Sequence, residues 1–373
     1  MSIGILRHER VLRWEFDSVI PDSVRCTSIE MPAGKDLRSF FKQLDIRSLV
    51  RMRSQNQIPL RHRIAAAQIR AAGVKVMLTT DRDVEFLNSL AQLCPDVQQI
   101  LVGHGVIVPM LVKRLRVTYA YPNRVVCVWG QREVDVVRQY ASPMLNLFVL
   151  GSLRNSSYLA NCRILRIDRT HLQRKICLVS SFVGEKKEAE LAAKGSVRSQ
   201  SADMVTEHVR RVALKWGVPV VVALKPPTMQ HYREGVNHKW AAEMQYFKGH
   251  LEDCDVSFTD PNDRYSTYRA IDESVVSFGR FMSSIVEGFG RGSLVRSIGP
   301  NVATTGWGAL PNGLHLSEAE WNSDYELGTG WIDDLATKIQ GNDWLERRQY
   351  YLHAPLDESP IGKLSEMISK YLG

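Results

Sequence analysis

Short apolar runs recur along most of this chain, and between them lie segments in which apolar residues return every three or four positions. The runs at Val74–Leu78, Gln99–Val102, Val125–Trp129, Leu147–Leu150, Lys175–Ser180, Pro219–Leu224, Val256–Phe258, Ser274–Phe278 and Leu294–Ser297 are rich in Val, Ile and Leu. That is the composition of strands buried on both faces. The intervening pattern predicts helices over Ile64–Ala72, Asp83–Leu93, Glu133–Tyr140, Ala202–Trp216 and Ser283–Gly290. Strands alternating with helices pair in parallel, because a parallel neighbour is reached only by a long crossover, and the helices then cover both faces of the sheet.

With 373 residues the chain is too long for one ordinary core and suits two domains. The alternation breaks around Ser152 to Arg174, where Asn, Ser and basic residues intervene, and Lys175-Ile-Cys-Leu-Val-Ser-Ser-Phe182 opens a fresh set of strands. The expected architecture is α/β: two Rossmann-like, doubly wound domains facing a cleft, with ligands at the carboxyl ends of the strands. The expected boundaries are 1–160, 161–345 and a final 346–373 that carries helices at Trp344–Tyr351 and Ser365–Tyr371.

Composition narrows the class. Hydrophobic residues make up 44% of the chain and charged residues 24%, as in an ordinary globular protein. No apolar run reaches the ~20 residues a membrane span requires, and the start of the chain has no signal-like apolar region, so the expected location is cytoplasmic. The six cysteines are scattered without a C-x-x-C pair, which points to neither a zinc site nor a disulfide framework; no metal is expected. Of the net charge of +8, residues 1–70 contribute +6, being 13 Lys and Arg against 7 Asp and Glu. Arg47, Arg51, Arg53, Arg61, Arg63 and Arg70 suit an anionic acceptor or peripheral contact with an anionic membrane face, or simply form a solvated basic surface. No nucleic-acid module or interleaved aromatic pattern accompanies them, so nucleic acid is not an expected partner.

The segment with most chemistry is Asp272 to Gly292, a buried strand followed by a Gly turn, two hydroxyls at Ser283 and Ser284, and a carboxylate at Glu287. At a helix N-terminus the unpaired N–H groups and the dipole favour a phosphate, and Glu287 one turn on is placed to accept from a sugar hydroxyl. A plain capping box fits the same spacing. Upstream, Val74 to Asp83 ends a strand at Thr79, Thr80 and Asp81, with Asp83 also suited to cap a helix. His104 stands between Gly103 and Gly105 after another strand, where it receives little packing. Ser180, Ser181 and Gly184 permit close backbone approach to a phosphate, Lys225 ends a buried strand, and Arg154 offers a forked donor or is an exposed arginine.

In order and spacing these segments resemble GT-B glycosyltransferases of bacterial surface-polysaccharide (capsule and O-antigen) biosynthesis and the related CDP-glycerol-type transferases, over about residues 74–300. Departures are Gly288 where Ala is usual, Arg291, Arg82, Gly103, and Pro227 with Thr228 in place of a His-Pro pair, which leaves the phosphate contact to Lys225 or His231. The resemblance implies a C-terminal domain that binds a nucleotide-sugar donor through Ser180, Ser181, Lys225, Ser283, Ser284 and Glu287. His104 would be the catalytic base with Asp81 orienting it or the acceptor, the reverse assignment or a loop-fixing His104 remaining open, and Arg154 would meet a phosphate or acidic sugar. It implies no cofactor, a glycan or lipid-linked acceptor, and C-terminal helices that return to the first domain. Alternatives are a polyol-phosphate transferase or a sugar-nucleotide epimerase of the same fold and, in another class, a non-catalytic basic protein that binds polyanions.

Overall fold

The computed structural model describes residues 2–7, 20, 25–30, 57–80, 84–103, 121–140, 146–162, 173–182, 184, 190, 193, 197–224, 237–280, 283–298, 315–316 and 359–372. The chain divides into two compact units, Met1–Ser157 with Asp357–Gly373, and Tyr158–Leu356.

The first unit is built on strands β1 (Ser2–Arg7), β2 (Arg25–Glu30), β3 (Val74–Thr79), β4 (Gln98–Val102), β5 (Arg124–Val128) and β6 (Leu147–Val149), in the order β2-β1-β3-β4-β5-β6. All neighbours are parallel. Side chains alternate between the two faces with period two, so each strand feeds two cores. Met77, Leu101, Val126 and Val128 pack beneath α1 (Leu60–Ala71), α2 (Val84–Leu93) and α3 (Gln131–Tyr140) with Ala66, Ile69, Phe86, Leu90 and Val137. Their neighbours Val76, Leu78, Ile100, Val102, Val125 and Cys127 point the other way, where Leu153 of α4 (Leu153–Asn161) and Leu364 and Ile368 of the C-terminal helix Pro360–Leu372 close the second face.

The second unit repeats the plan with β7 (Gln173–Val179), β8 (Val220–Ala223), β9 (Val256–Phe258), β10 (Ser274–Gly279), β11 (Val295–Ile298) and β12 (His315–Leu316), ordered β12-β11-β10-β7-β8-β9 and again wholly parallel. Its helices are α5 (Val197–Trp216), α6 (Asn237–His250), α7 (Ser266–Glu273) and α8 (Ser283–Arg291). Ile176, Leu178, Val220, Val222, Val276 and Phe278 meet Val205, Val209, Val212 and Trp216 of α5 and Phe247 of α6 in one core. Cys127 and Cys177 are fully buried in their strands, and burial pushes both thiols up to about 12. Such thiols are packing groups rather than nucleophiles.

The structure adds elements to the sequence expectation. Residues 1–70 contribute β1 and β2, the helix expected over Ile64–Ala72 begins earlier as α1 at Leu60, and the expected linker from Ser152 holds α4, capped by the Ser152 hydroxyl, which accepts the Asn155 N–H at 3.2 Å. The expected helix Trp344–Tyr351 and the Arg47, Arg51 and Arg53 cluster lie outside the described residues. Among the described residues no helix is long and apolar enough to cross a membrane.

His208 of α5 meets the Phe278 ring edge-on, centroids 5.2 Å apart. Burial, followed by the charges of Arg211 and Arg296, pushes its imidazole down to about 4. Between that value and its ordinary 6.5, the unfolded chain takes a proton that the folded one refuses. The stability involved is therefore intact above pH 6.5 and is lost as pH falls towards 4. We expect this group to remove on the order of 3 kcal/mol across that window. Urea unfolding from pH 7 to pH 4 checks it: His208→Gln should show a shallower acid slope than the wild type, and equal slopes would contradict the assignment.

Candidate functional site

Strand order fixes where a ligand can enter. From β7 the chain moves to β8 and β9 on one side and later returns to β10 and β11 on the other, so connections leave adjacent strands β7 and β10 in opposite directions. In a doubly wound sheet this switch point opens a crevice at the carboxyl ends of the strands. The register pairs Gly279 with Val179, so Ser180 and Arg280 continue from adjacent strand ends. Gly279 eases a close approach there: a Cβ on it would lie 3.0 Å from the Ile285 side chain of α8 and 3.3 Å from the Val179 Cβ. The bare backbone lets α8 start directly over the end of β10. Ser283 and Ser284 occupy the first turn of that helix, half-buried, and no acidic residue shares the turn. The N–H groups and positive end of the dipole are thus not offset by a carboxylate at that point.

The other expected donor residues behave differently. Ser180 is fully buried; its hydroxyl donates to Glu243 of α6 and accepts the Phe182 N–H at 3.3 Å, which binds the chain leaving β7 to α6. Ser181 beside it is half-buried. Glu287, 3% exposed, accepts a 2.7 Å hydrogen bond from the Tyr268 hydroxyl. Arg154 is half-buried in the first turn of α4. His104, Asp81, Lys225 and His231 lie outside the described residues; those placed nearest them are Gly103 after β4, Thr80 after β3 and Leu224 after β8.

Behind Glu287 stands a buried polar cluster that the sequence reading did not assemble. Arg291, at the far end of α8, donates through Nε to both Asp272 oxygens at 3.0 and 2.8 Å, and the Ser293 hydroxyl donates to the same carboxylate at 2.6 Å. Its guanidinium lies over the rings of Tyr158 and Tyr268 at 5.1 and 4.7 Å from their centroids, and those rings stack on each other at 5.0 Å. Burial lowers the hold of Arg291 on its proton, yet the Asp272 charge and hydrogen bonds outweigh it and the group is held above its ordinary value. Burial, and then Asp272, pushes the Tyr158 phenol up. Tyr265 belongs to the same cluster and accepts from Asn161 at 3.1 Å. The tyrosines are therefore core residues.

Gly288 and Arg291, two of the departures from the resembled pattern, act together. A Cβ on Gly288 would stand 2.7 Å from Ile271 and 3.2 Å from Val295. The missing methyl lets α8 lie close against α7, and that brings Arg291 within reach of Asp272. Among the described residues no group of three or more His, Cys, Asp or Glu could hold a metal ion.

The chain matches no family model, and no curated protein matches it in sequence. Among solved structures it is similar to UDP-GlcNAc 2-epimerase from Neisseria meningitidis bound to UDP-GlcNAc, with 12% identity, 100% of this chain and 99% of that chain covered, and a TM-score of 0.51. It is similar to sucrose-phosphate synthase from Thermosynechococcus elongatus, with 13% identity, coverage of 100% and 99%, and a TM-score of 0.52. It is also similar to HepE from Anabaena in complex with UDP, with 11% identity, coverage of 100% and 99%, and a TM-score of 0.51. At these identities the likeness is one of fold: the chain is an α/β protein of the GT-B fold.

The Asp272–Arg291 pair yields a stability prediction. Arg291→Met leaves a buried carboxylate without its cation, which is expected to cost about 3–5 kcal/mol. Adding Asp272→Asn should recover part of that loss, because the two residues interact directly. Urea unfolding of the single and double variants measures both, and a loss below about 1 kcal/mol for Arg291→Met would show that the pair carries little.

Proposed function

We propose that this chain is a glycosyltransferase that moves a sugar from a nucleotide-activated donor to a surface-glycan or lipid-linked acceptor. The observation that carries the reading is the position of Ser283 and Ser284 at the start of α8, directly beyond β10 at the switch point of the second unit. The whole-length likeness in fold to proteins bound to UDP-GlcNAc or UDP supports the same reading. There the α8 N–H groups would bind the donor diphosphate, with Ser283, Ser284, Ser181 and Lys225 contributing hydroxyl and ammonium donors. Charge that develops on the leaving phosphate is then met by oriented dipoles without a metal. Ser180 would shape the loop after β7 through Glu243, and Glu287, held by Tyr268, would accept from the donor sugar. In the first unit His104 would take the acceptor proton, Asp81 would orient it, and Arg154 would meet an acidic group on the acceptor.

A second reading has its own support. The similar structures include an epimerase acting on the free nucleotide sugar, a reaction that needs no acceptor. The two chemistries separate in one experiment: incubate the protein with UDP-GlcNAc and EDTA, with and without an oligosaccharide or undecaprenyl-linked acceptor, and analyse the products by NMR. The proposal expects UDP release and a new glycosidic bond only when acceptor is present. Inversion at C2 of the nucleotide sugar without acceptor would establish the epimerase instead. Loss of all turnover on chelation, restored by magnesium, would overturn the metal-independent site.

A further inference from the structure

A buried hydroxyl lies beneath the first turn of α8. Ser297, the third residue of β11, is 1% exposed, and among the described residues its hydroxyl has no hydrogen-bond partner. Buried hydroxyls in folded proteins are nearly always paired, because a desolvated one without a partner costs stability.

Strand register decides which way this side chain points. Residues in register across a parallel pair share a face, and β11 pairs Val295 with Ser277 and Ser297 with Gly279. The face of Ser277 and Gly279 is the one that carries α7 and α8: the Ser277 hydroxyl donates to the Ile271 carbonyl of α7 at 3.3 Å, and a Cβ on Gly279 would meet Ile285 of α8. Phe278, packed on His208 of α5, shares the opposite face with Arg296. Ser297 therefore faces α8.

Its level under the helix follows from a second contact. A Cβ on Gly288 would lie 3.2 Å from the Val295 side chain, so Gly288 stands over Val295. α8 leaves the carboxyl end of β10 and leads to the start of β11, so it runs opposite to both strands. Ser284 precedes Gly288 by four residues and stands on the same side of the helix, about 5.4 Å nearer the carboxyl edge. Ser297 is two residues beyond Val295, about 6.6 Å in that same direction. Ser297 thus lies under Ser284. Side chains on a helix lean towards its N-terminus, which carries the Ser284 hydroxyl to the crevice side.

We propose that Ser297 is a positioning residue for Ser284 in binding the diphosphate of a nucleotide donor. A hydroxyl can donate one hydrogen bond and accept another at once. With a diphosphate at the start of α8, Ser284 donates to a phosphate oxygen, and its own oxygen accepts from the Ser297 hydroxyl below. The buried proton gains its partner only in the bound state, and in such a relay each bond strengthens the other. Ser297 itself touches no ligand atom. The inference rests on the reading of the α8 N-terminus as the diphosphate site.

The test takes two measurements on the full chain carrying Ser297→Ala, which removes only the hydroxyl. The unliganded protein loses an unpartnered buried group, so its urea midpoint should rise. The bound state loses the relay, so the Kd for UDP, measured by titration calorimetry, should increase about three- to tenfold. These opposite effects separate the relay from a structural role, which would lower the midpoint. Ser284→Ala should weaken UDP at least as much, and adding Ser297→Ala to it should leave the Kd unchanged. If Ser284→Ala weakens UDP while Ser297→Ala does not, or if Ser297→Ala lowers the urea midpoint, the relay is overturned and the α8 site stands. An unchanged Kd in both single variants would overturn the α8 site itself, and the relay with it.

Discussion

Parallel strand pairing is the constraint from which the rest of this molecule follows. Every described pairing is parallel in both sheets, so no strand reaches its neighbour by a hairpin and each must return through a crossover. Crossovers place helices on the sheet faces, which is why runs such as Val220–Ala223 are buried along their whole length. They also place every strand's carboxyl end on one edge. Where the winding reverses, beside β7 and β10, two strand ends diverge, and a helix N-terminus stands beside them. The candidate site is thus a by-product of topology before it is a set of side chains.

Buried polar groups then stiffen that edge. Ser180 ties the loop after β7 to Glu243, Tyr268 holds Glu287, and Arg291 locks α8 to Asp272 beside two stacked tyrosines. Each desolvated pair costs stability unless its partners are in place, and each therefore favours one arrangement of α6, α7 and α8. In the first unit Arg124 does comparable work. Although fully buried, it donates to the Gln99 and Asn88 side chains and the Leu87 carbonyl, and so fastens the start of β5 to β4 and α2.

Strands were legible in the sequence where the apolar run was unbroken: Val256–Phe258 is found as expected, and β3, β4 and β10 differ from expectation by a residue at one end. What escaped were elements whose buried face is partly polar. The stripe of α6 reads Trp240, Glu243, Phe247 with Leu251 just beyond, and a carboxylate at its second position hides the period. In α4 the buried side includes Asn155, Ser156 and Ser157, so a packed helix has the composition of a linker. Pairings such as Ser180 with Glu243, 63 residues apart, leave no mark on spacing at all. The Ser283–Ser284 turn was readable because its signal is local, a strand, a glycine and hydroxyls in succession. The cluster around Arg291 was not, since it depends on tyrosines brought in by two other helices.

The central claim is that a nucleotide diphosphate binds at the start of α8. Hydrogen-exchange mass spectrometry of the full chain with and without UDP tests it most directly. The account predicts slowed exchange in peptides that cover Ser180–Phe182 and Gly279–Glu287, since N–H groups bonded to phosphate and a ligand-braced helix turn open less often. Binding of UDP with protection elsewhere and none in those two segments would contradict it.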